Sequence, residues 1–199
     1  MLGLQASTLI LISTILVSLF VLYVRPSLIA KLVLHPYSVR RENRWYTLIT
    51  SGFIHADLWH LAFNMLSLYF FAGRLEMVIG TENFLIIYFA SMVISDLPTL
   101  YKQRDNYNYR SLGASGAVSA IIYSSILFNP LGTIYIYFIP MPAVVFGVLF
   151  IIYGYYMEKR GMDYINHSAH NWGAVSGVVL TLLLVPYSWD VFIQRLFSW

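Results

Sequence analysis

A serine between small residues, at the start of a hydrophobic run, is the side chain most able to perform covalent chemistry. It is Ser115, in the run Gly113-Ala114-Ser115-Gly116. The glycines permit a tight turn and close substrate approach, and a helix that starts here presents free N–H groups that could stabilise an oxyanion. The pattern allows a serine nucleophile. It also suits a packing surface, because Gly, Ala and Ser let membrane helices approach closely.

His170 is the side chain best suited to act as general base for such a serine. It lies in an apolar stretch in which Gly173 and Gly177 form one small-residue helix face, a pattern typical of tightly packed membrane helices. We expect this face to pack on Gly116 and Ala120, which would bring His170 towards the serine. No Asp or Glu is positioned by sequence to orient the imidazole, so a Ser–His dyad is the minimal arrangement. The alternative is a buried histidine that is hydrogen-bonded to a carbonyl group.

His60 and Asn64 are four residues apart and therefore share one helix face. They could donate hydrogen bonds to a developing oxyanion, or they could join helices structurally. A metal site would need further ligands, and the acidic residues are scattered, so we predict neither a metal nor a cofactor. His55 is expected to have a structural role, and His167 is expected to point away from His170.

The composition indicates a membrane protein. Of 199 residues, 59% are hydrophobic and only 11% are charged, against about 25% charged in soluble domains. The chain is too short for a membrane domain plus a sizeable soluble one, so residues 1–199 are predicted to form a single domain. The net charge of +3 comes without a dense basic stripe, which argues against nucleic-acid binding. The absence of cysteine excludes disulfides and thiolate nucleophiles.

The hydrophobic segments predict an all-α bundle of six membrane spans. The spans are expected at about residues 4–24, 57–79, 83–101, 115–128, 142–157 and 166–185. The first loop, residues 25–56, mixes cations with aromatic residues, as is typical of a membrane interface, and is long enough to contain helices of its own. Residues 133–139 are β-branched and aromatic and are expected to be extended. Residues 158–163 are predicted to form a charged loop.

Four short patterns together resemble the rhomboid family of intramembrane serine proteases, over about residues 45–177. Family members carry His-x-x-x-Asn in the second span, Gly-x-Ser-Gly at the start of the fourth and Ala-His-x-x-Gly in the sixth. The matching residues are His60 to Asn64, Gly113 to Gly116 and Ala169 to Gly173, and Gly73-Arg74-Leu75-Glu76 is similar to the end of the second span in the family.

The resemblance implies a six-span, rhomboid-like serine endopeptidase with a long interfacial first loop. Ser115 would be the nucleophile and His170 its base, and His60, Asn64 and the Ser115 N–H would form the oxyanion hole. The substrate would be a transmembrane segment of another protein, cut near the membrane surface where it can unwind. The implied location is a multi-pass protein of a bacterial inner membrane. The oligomeric state stays open.

The sequence departs from the family pattern at two places. The family often has Trp-Arg in the first loop, where this chain has Tyr46 and Thr47. Members often carry an aromatic residue one turn after the serine, against which the histidine packs, and here that place holds Ser119. Two other function classes would place different demands on the sequence. A rhomboid-like protein that binds membrane clients without cutting them would need neither Ser115 nor His170, and a transporter would be expected to show repeats or paired intramembrane charges.

The distribution of positive charge and the family resemblance imply opposite orientations of the chain in the membrane. Counted from an internal N-terminus, the external loops would hold ten of the 12 Lys and Arg residues: Arg25, Lys31, Arg40, Arg41, Arg44, Lys102, Arg104, Arg110, Lys159 and Arg160. The positive-inside rule therefore favours an external N-terminus. The family resemblance implies the opposite, an internal N-terminus with the active site opening outside, and is the topology we favour.

Overall fold

A computed structural model describes residues 5–136, 138–160 and 165–197 of the chain. Leu4 of the predicted first span and residues 161–163 of the predicted charged loop lie outside these ranges. The helices are α1 (Ala6–Leu19, continued by a π-helical turn, Phe20–Val24), α2 (Ile29–Leu32), α3 (Pro36–Arg41), α4 (Thr47–Thr50), α5 (Leu58–Ile79), α6 (Thr81–Lys102), α7 (Ser115–Phe128), α8 (Ala143–Arg160), α9 (His167–Leu184) and α10 (Ser188–Phe197). The mostly helical character of the prediction is therefore confirmed.

Three helices are long and apolar enough to cross a membrane, namely Ala6–Val24, α5 and α6. The helices α9 and α10 pass the same test only together, and they are bent by 111° at the break between them. The helix α7 is apolar but shorter, with 14 residues. Length and composition thus support three spans, or four if the bent pair is one span, among the described residues.

The first loop contains short helices, as its length suggested. Its helices α2, α3 and α4 are fixed to the bundle by backbone contacts, including a β-bridge between Leu34 and Ser111. The Arg44 guanidinium donates hydrogen bonds to the carbonyl oxygens of Ala30 (2.8 Å) and Lys31 (2.7 Å). The loop is therefore a folded layer over one end of the bundle, beside the segment that leads into Ser115.

The extended segment after α7 forms a hairpin. Its strands are β1 (Thr133–Ile136) and β2 (Ile139–Pro142), paired antiparallel with Thr133 opposite Pro142. This confirms the extended conformation predicted for the described part of residues 133–139; Tyr137 lies outside the described residues.

Two expectations near the end of the chain need correction. Residues 158–160 belong to α8 rather than to a loop, since Lys159 and Arg160 suit the negative end of the helix dipole and Glu158 pairs with Lys102. A helix that was not predicted, α10, follows the break at Pro186. Proline ends the regular hydrogen bonding of α9, and the chain resumes its helix in a new direction.

The closest helix packing joins α7 to α9, as the small residues predicted. A Cβ atom added to Gly173 would lie 2.9 Å from the carbonyl carbon of Gly116, and closer still to its oxygen. A Cβ atom on Gly177 would lie 2.5 Å from the Cα atom of Ala120. Only glycine permits backbone contact of this kind, so these two positions bring the start of α7 against the start of α9.

Candidate active site

Ser115 is the first residue of α7 and is partly buried. The first N–H groups of a helix have no partner within the helix. The backbone N–H groups at the start of α7 are therefore hydrogen-bond donors beside Ser115. Gly113 precedes it with φ of +113°, in the region that favours glycine. The Gly113 N–H donates to the Ser51 carbonyl oxygen (2.9 Å), so the first-loop layer fixes the turn that leads into the helix.

His60 lies directly against this turn. A Cβ atom on Gly113 would lie 2.6 Å from His60 Cε1 and 2.7 Å from His60 Nε2, so no larger residue fits between the imidazole and the backbone. Asp57 caps α5 by accepting a hydrogen bond from the His60 N–H (2.8 Å). The sequence pattern correctly placed His60 on the second long helix of the bundle, and the fold brings it to the neighbourhood of Ser115.

Asn64 is buried one turn further along α5. Its Nδ2 donates one hydrogen bond to the carbonyl oxygen of His60 (2.9 Å). An amide nitrogen carries two hydrogens, so one N–H of Asn64 is used within the helix and the second can serve another acceptor. The two expected donors thus share one helix face, as their spacing indicated.

His55 connects the first helix to the turn before Ser115. Its Nε2 accepts a long hydrogen bond from the Ala114 N–H (3.4 Å), and its Nδ1 lies 2.9 Å from Ser18 Oγ. The ring must then carry its hydrogen on Nδ1 and donate to Ser18, which donates in turn to the Phe53 carbonyl oxygen (2.9 Å). Burial, together with the neighbouring His60, lowers the pKa of His55 to about 3. A neutral, structural histidine agrees with the role expected for it.

The start of α9 is fixed by Asn166. Its Oδ1 accepts from the Ala169 N–H (3.1 Å) as a helix cap, and its Nδ2 donates to Thr99 Oγ1 (3.0 Å) and Ser111 Oγ (3.2 Å). These contacts tie α9 to α6 and to the segment before α7. Asn166 was not among the residues predicted for the site, although an asparagine immediately before a helical apolar run is a recognisable cap signal.

His170 is held from α8, a predicted span that the sequence did not link to it. The ring of Phe150, on α8, is stacked on the His170 ring, with centroids 6.1 Å apart and planes 27° apart. Ser119, at the place where the family often has an aromatic residue, is buried in α7 and offers no ring. No sequence signal linked Phe150 to His170, because their proximity depends on how α8 packs against α9.

The expectation for His167 was wrong. Its ring lies edge-on to the His170 ring, with centroids 6.0 Å apart, and edge-on to Tyr153 of α8 at 5.9 Å. His167 precedes His170 by three residues, which is close to one helical turn, so the two rings can meet on one side of α9. Aromatic residues of α8 therefore support both histidines.

A polar cavity of about 200 Å³ opens beside the first turn of α9. Its lining includes Thr99, Tyr109, Asn166, His167 and Ser168. Burial and the nearby Asp96 raise the pKa of the Tyr109 hydroxyl, so it is a hydrogen-bond donor at neutral pH. The Ser168 hydroxyl is buried and has no hydrogen-bond partner among the described residues. Such a cavity is large enough and polar enough for several waters.

The fold thus brings the predicted residues of three separate helices to one place. Before Ser115 in the chain, Gly113 contacts the His60 ring. After it, Gly116 contacts the backbone of α9 at Ala169 and Gly173, which lie on either side of His170 in the chain. Within the described residues there is no group of three or more His, Asp or Glu side chains that could hold a metal ion. The chemistry available is that of a hydroxyl, imidazoles, an amide and backbone N–H groups.

The chain belongs to the rhomboid family, since the rhomboid domain matches residues 42–187. This confirms the resemblance inferred from the motifs. Among its relatives, "RHOMBOID-like protein 12, mitochondrial" of Arabidopsis thaliana is 32% identical over 155 residues, which are 70% of this chain and 46% of that protein. "Presenilin-associated rhomboid-like protein, mitochondrial" of Homo sapiens is 31% identical over 137 residues, covering 66% of this chain and 36% of that protein.

A bacterial relative is also similar. "Putative rhomboid protease YdcA" of Bacillus subtilis is 36% identical over 77 residues, which are 39% of this chain and 38% of that protein. The chain therefore spans less than half the length of the curated relatives it matches.

Proposed function

We propose that this protein is a six-span intramembrane serine endopeptidase that hydrolyses peptide bonds in transmembrane segments of other membrane proteins. The observation that carries the proposal is the contact of α7 with α9 at their glycines, together with the packing of His60 on Gly113. These contacts support a site at the end of the bundle where α5, α7 and α9 begin, with Ser115, His170, His60 and Asn64 as its members. Rhomboid membership supports the reaction class.

In the proposed reaction, Ser115 Oγ attacks the carbonyl carbon of the scissile bond and His170 accepts the hydroxyl proton. The Ser115 N–H, His60 and Asn64 donate to the oxyanion of the tetrahedral intermediate. The C–N bond then breaks as His170 returns the proton to the leaving amine. Water attacks the resulting ester, His170 takes a proton from that water, and the Ser115 hydroxyl is restored as the acid product leaves.

The surroundings of the dyad support each step. The stack of Phe150 on His170 restrains the plane of the imidazole, which a dyad without an acidic partner needs. We propose that the water of deacylation enters through the cavity at the first turn of α9, which is lined by His167 and Ser168. The contact of Asn64 with the His60 carbonyl keeps its amide in place before substrate binds.

Cleavage of a model transmembrane substrate by the purified protein, in detergent and in liposomes, tests the proposal. Wild type should cut, and Ser115→Ala and His170→Ala should reduce the rate to background. Ser119→Ala, a buried serine one turn along the same helix, is the matched control and should keep activity. Equal cleavage by Ser115→Ala would refute the dyad. A wild type that neither cuts nor reacts with a serine-directed covalent probe would favour a protein that binds membrane clients without cutting them.

The cellular membrane is a further part of the proposal. The sequence suggested a bacterial inner membrane, whereas the plant and human relatives are named as mitochondrial and the Bacillus relative is bacterial. The helices that are long and apolar enough to cross a bilayer support an integral membrane location, which we propose for this chain. Fractionation of the source cells, with detection of the protein in each membrane, decides between the compartments.

A further inference from the structure

A groove that the proposed reaction does not use lies between α6 and α8, in front of α9. It holds a cavity of about 450 Å³ at the Ser115 end of the bundle. The lining residues are Lys102, Tyr155, Glu158, Lys159, Asn171 and Trp172. Cations, aromatic rings and an amide in one cavity at the end of a membrane helix are the side chains expected around a lipid headgroup.

The charges in this cavity favour an anion. Lys102 forms an ion pair with Glu158, which leaves Lys159 as the surplus positive charge. The Lys159 ammonium lies 4.4 Å above the Tyr155 ring, and the ion pairs found within the described residues do not include it. Both lysines are at the C-terminal ends of their helices, where they can reach a phosphate at the membrane surface.

The amide of Asn171 forms the inner wall of this cavity. Its Oδ1 is buried, and a Cβ atom added to Gly154 of α8 would lie 2.5 Å from it. The oxygen therefore faces α8, and the lysines rather than the amide recognise the anion.

An apolar track leads away from the cavity along α9. Four apolar residues recur every three to four positions on the side of α9 opposite to Gly173. They are Trp172, Val175, Val179 and Leu183, and each is at least 45% exposed. The eleven steps from Trp172 to Leu183 rise by about 16 Å at about 1.5 Å per residue. This is about half of the ~30 Å hydrocarbon core, the depth that the acyl chain of one leaflet fills.

We propose that this groove binds one anionic glycerophospholipid. The phosphate lies between Lys102 and Lys159, and one acyl chain follows the track from Trp172 to Leu183. Glu158 competes with the phosphate for Lys102. The inference does not depend on the proposed proteolysis, since none of these residues belongs to the proposed dyad or oxyanion hole.

Native mass spectrometry of the purified, delipidated protein tests this. With phosphatidylglycerol and phosphatidylcholine of identical chains, one phosphatidylglycerol should be retained at concentrations where phosphatidylcholine is not. Lys102→Gln/Lys159→Gln should weaken retention about tenfold or more, while Lys102→Arg/Lys159→Arg should keep it. Glu158→Gln should strengthen it, whereas a purely structural Lys102–Glu158 pair predicts no gain. Unfolding temperatures without lipid show that each variant is folded.

The matched control is Arg25→Gln/Arg40→Gln, which removes two exposed cations from the same end of the bundle, outside the cavity. It should leave retention unchanged. Equal loss in the control and in the lysine variant would overturn the proposal in favour of general surface charge, and equal retention of the two lipids would overturn it directly. Competition by soluble glycerol phosphate, without acyl chains, would show an anion site only and would also overturn it.

Discussion

Replacing Gly173 by alanine tests the contact on which the proposed site depends. The added Cβ atom would lie 2.9 Å from the Gly116 carbonyl carbon and 3.0 Å from its Cα atom, where ordinary contacts are 3.4–4 Å. Both sides of this contact are backbone, so no side-chain rotation can relieve it. The helices α7 and α9 must separate by a large fraction of an ångström along their closest line of packing.

The cost should be about 3 kcal/mol, the upper end of the usual penalty for overpacking a close-packed core. Since about 1 kcal/mol shifts Tm by about 2–4 °C in a chain of this size, the apparent Tm should fall by roughly 6–12 °C. Thermal unfolding of the purified protein in a single detergent measures it. Cleavage at a temperature where the variant is folded should also fall, because the separation moves His170 away from Ser115.

Gly147→Ala is the control for this experiment. Gly147 lies on α8, and the nearest atom to its added Cβ would be the Ile126 Cδ1 methyl at 3.2 Å, the end of a flexible side chain. Its Tm should change by less than a third of the change in Gly173→Ala. A Gly173→Ala protein with the Tm of wild type would refute the backbone contact between α7 and α9.

Three further predictions follow from the site. Phe150→Leu should lower kcat about 2- to 10-fold, the equivalent of an aromatic contact of about 0.5–1.5 kcal/mol, and should shift the pH profile of kcat. Phe192→Leu, which alters a stacked ring on α10, is the control, and equal profiles would contradict a role for Phe150 in holding His170. Asn64→Ala should slow turnover by up to about 10²–10³ with little change in KM, and an unchanged kcat would remove Asn64 from the oxyanion hole. His55 binds its proton far more weakly in the folded protein than in the unfolded chain, so the free energy of unfolding should fall as pH drops below about 6.5, by up to about 1.4 kcal/mol per pH unit. His55→Gln should flatten this pH dependence in urea or thermal unfolding between pH 6.5 and 5. An equally steep pH dependence in the variant would contradict the prediction.

Much of the bundle could be predicted because a long apolar run by itself indicates a membrane helix. The apolar runs placed α5, α6, α7 and α9 within a few residues of their observed ends. The end of α8 could not be predicted, because a charged residue such as Glu158 indicates a loop until its ion pair with Lys102 is known. The number of spans stays a proposal, since α7 and α9 are short for a bilayer.

Sequence by itself determined which side chains could do chemistry and which glycines would let helices meet. The candidate residues can be recognised as polar groups within apolar runs, where burying them costs free energy. They are Ser115, His170 and the His60–Asn64 pair. Only the tertiary structure decided how the histidine is supported. The stack of Phe150 on His170 joins residues twenty positions apart through the packing of two helices, and no periodicity within either helix encodes that contact.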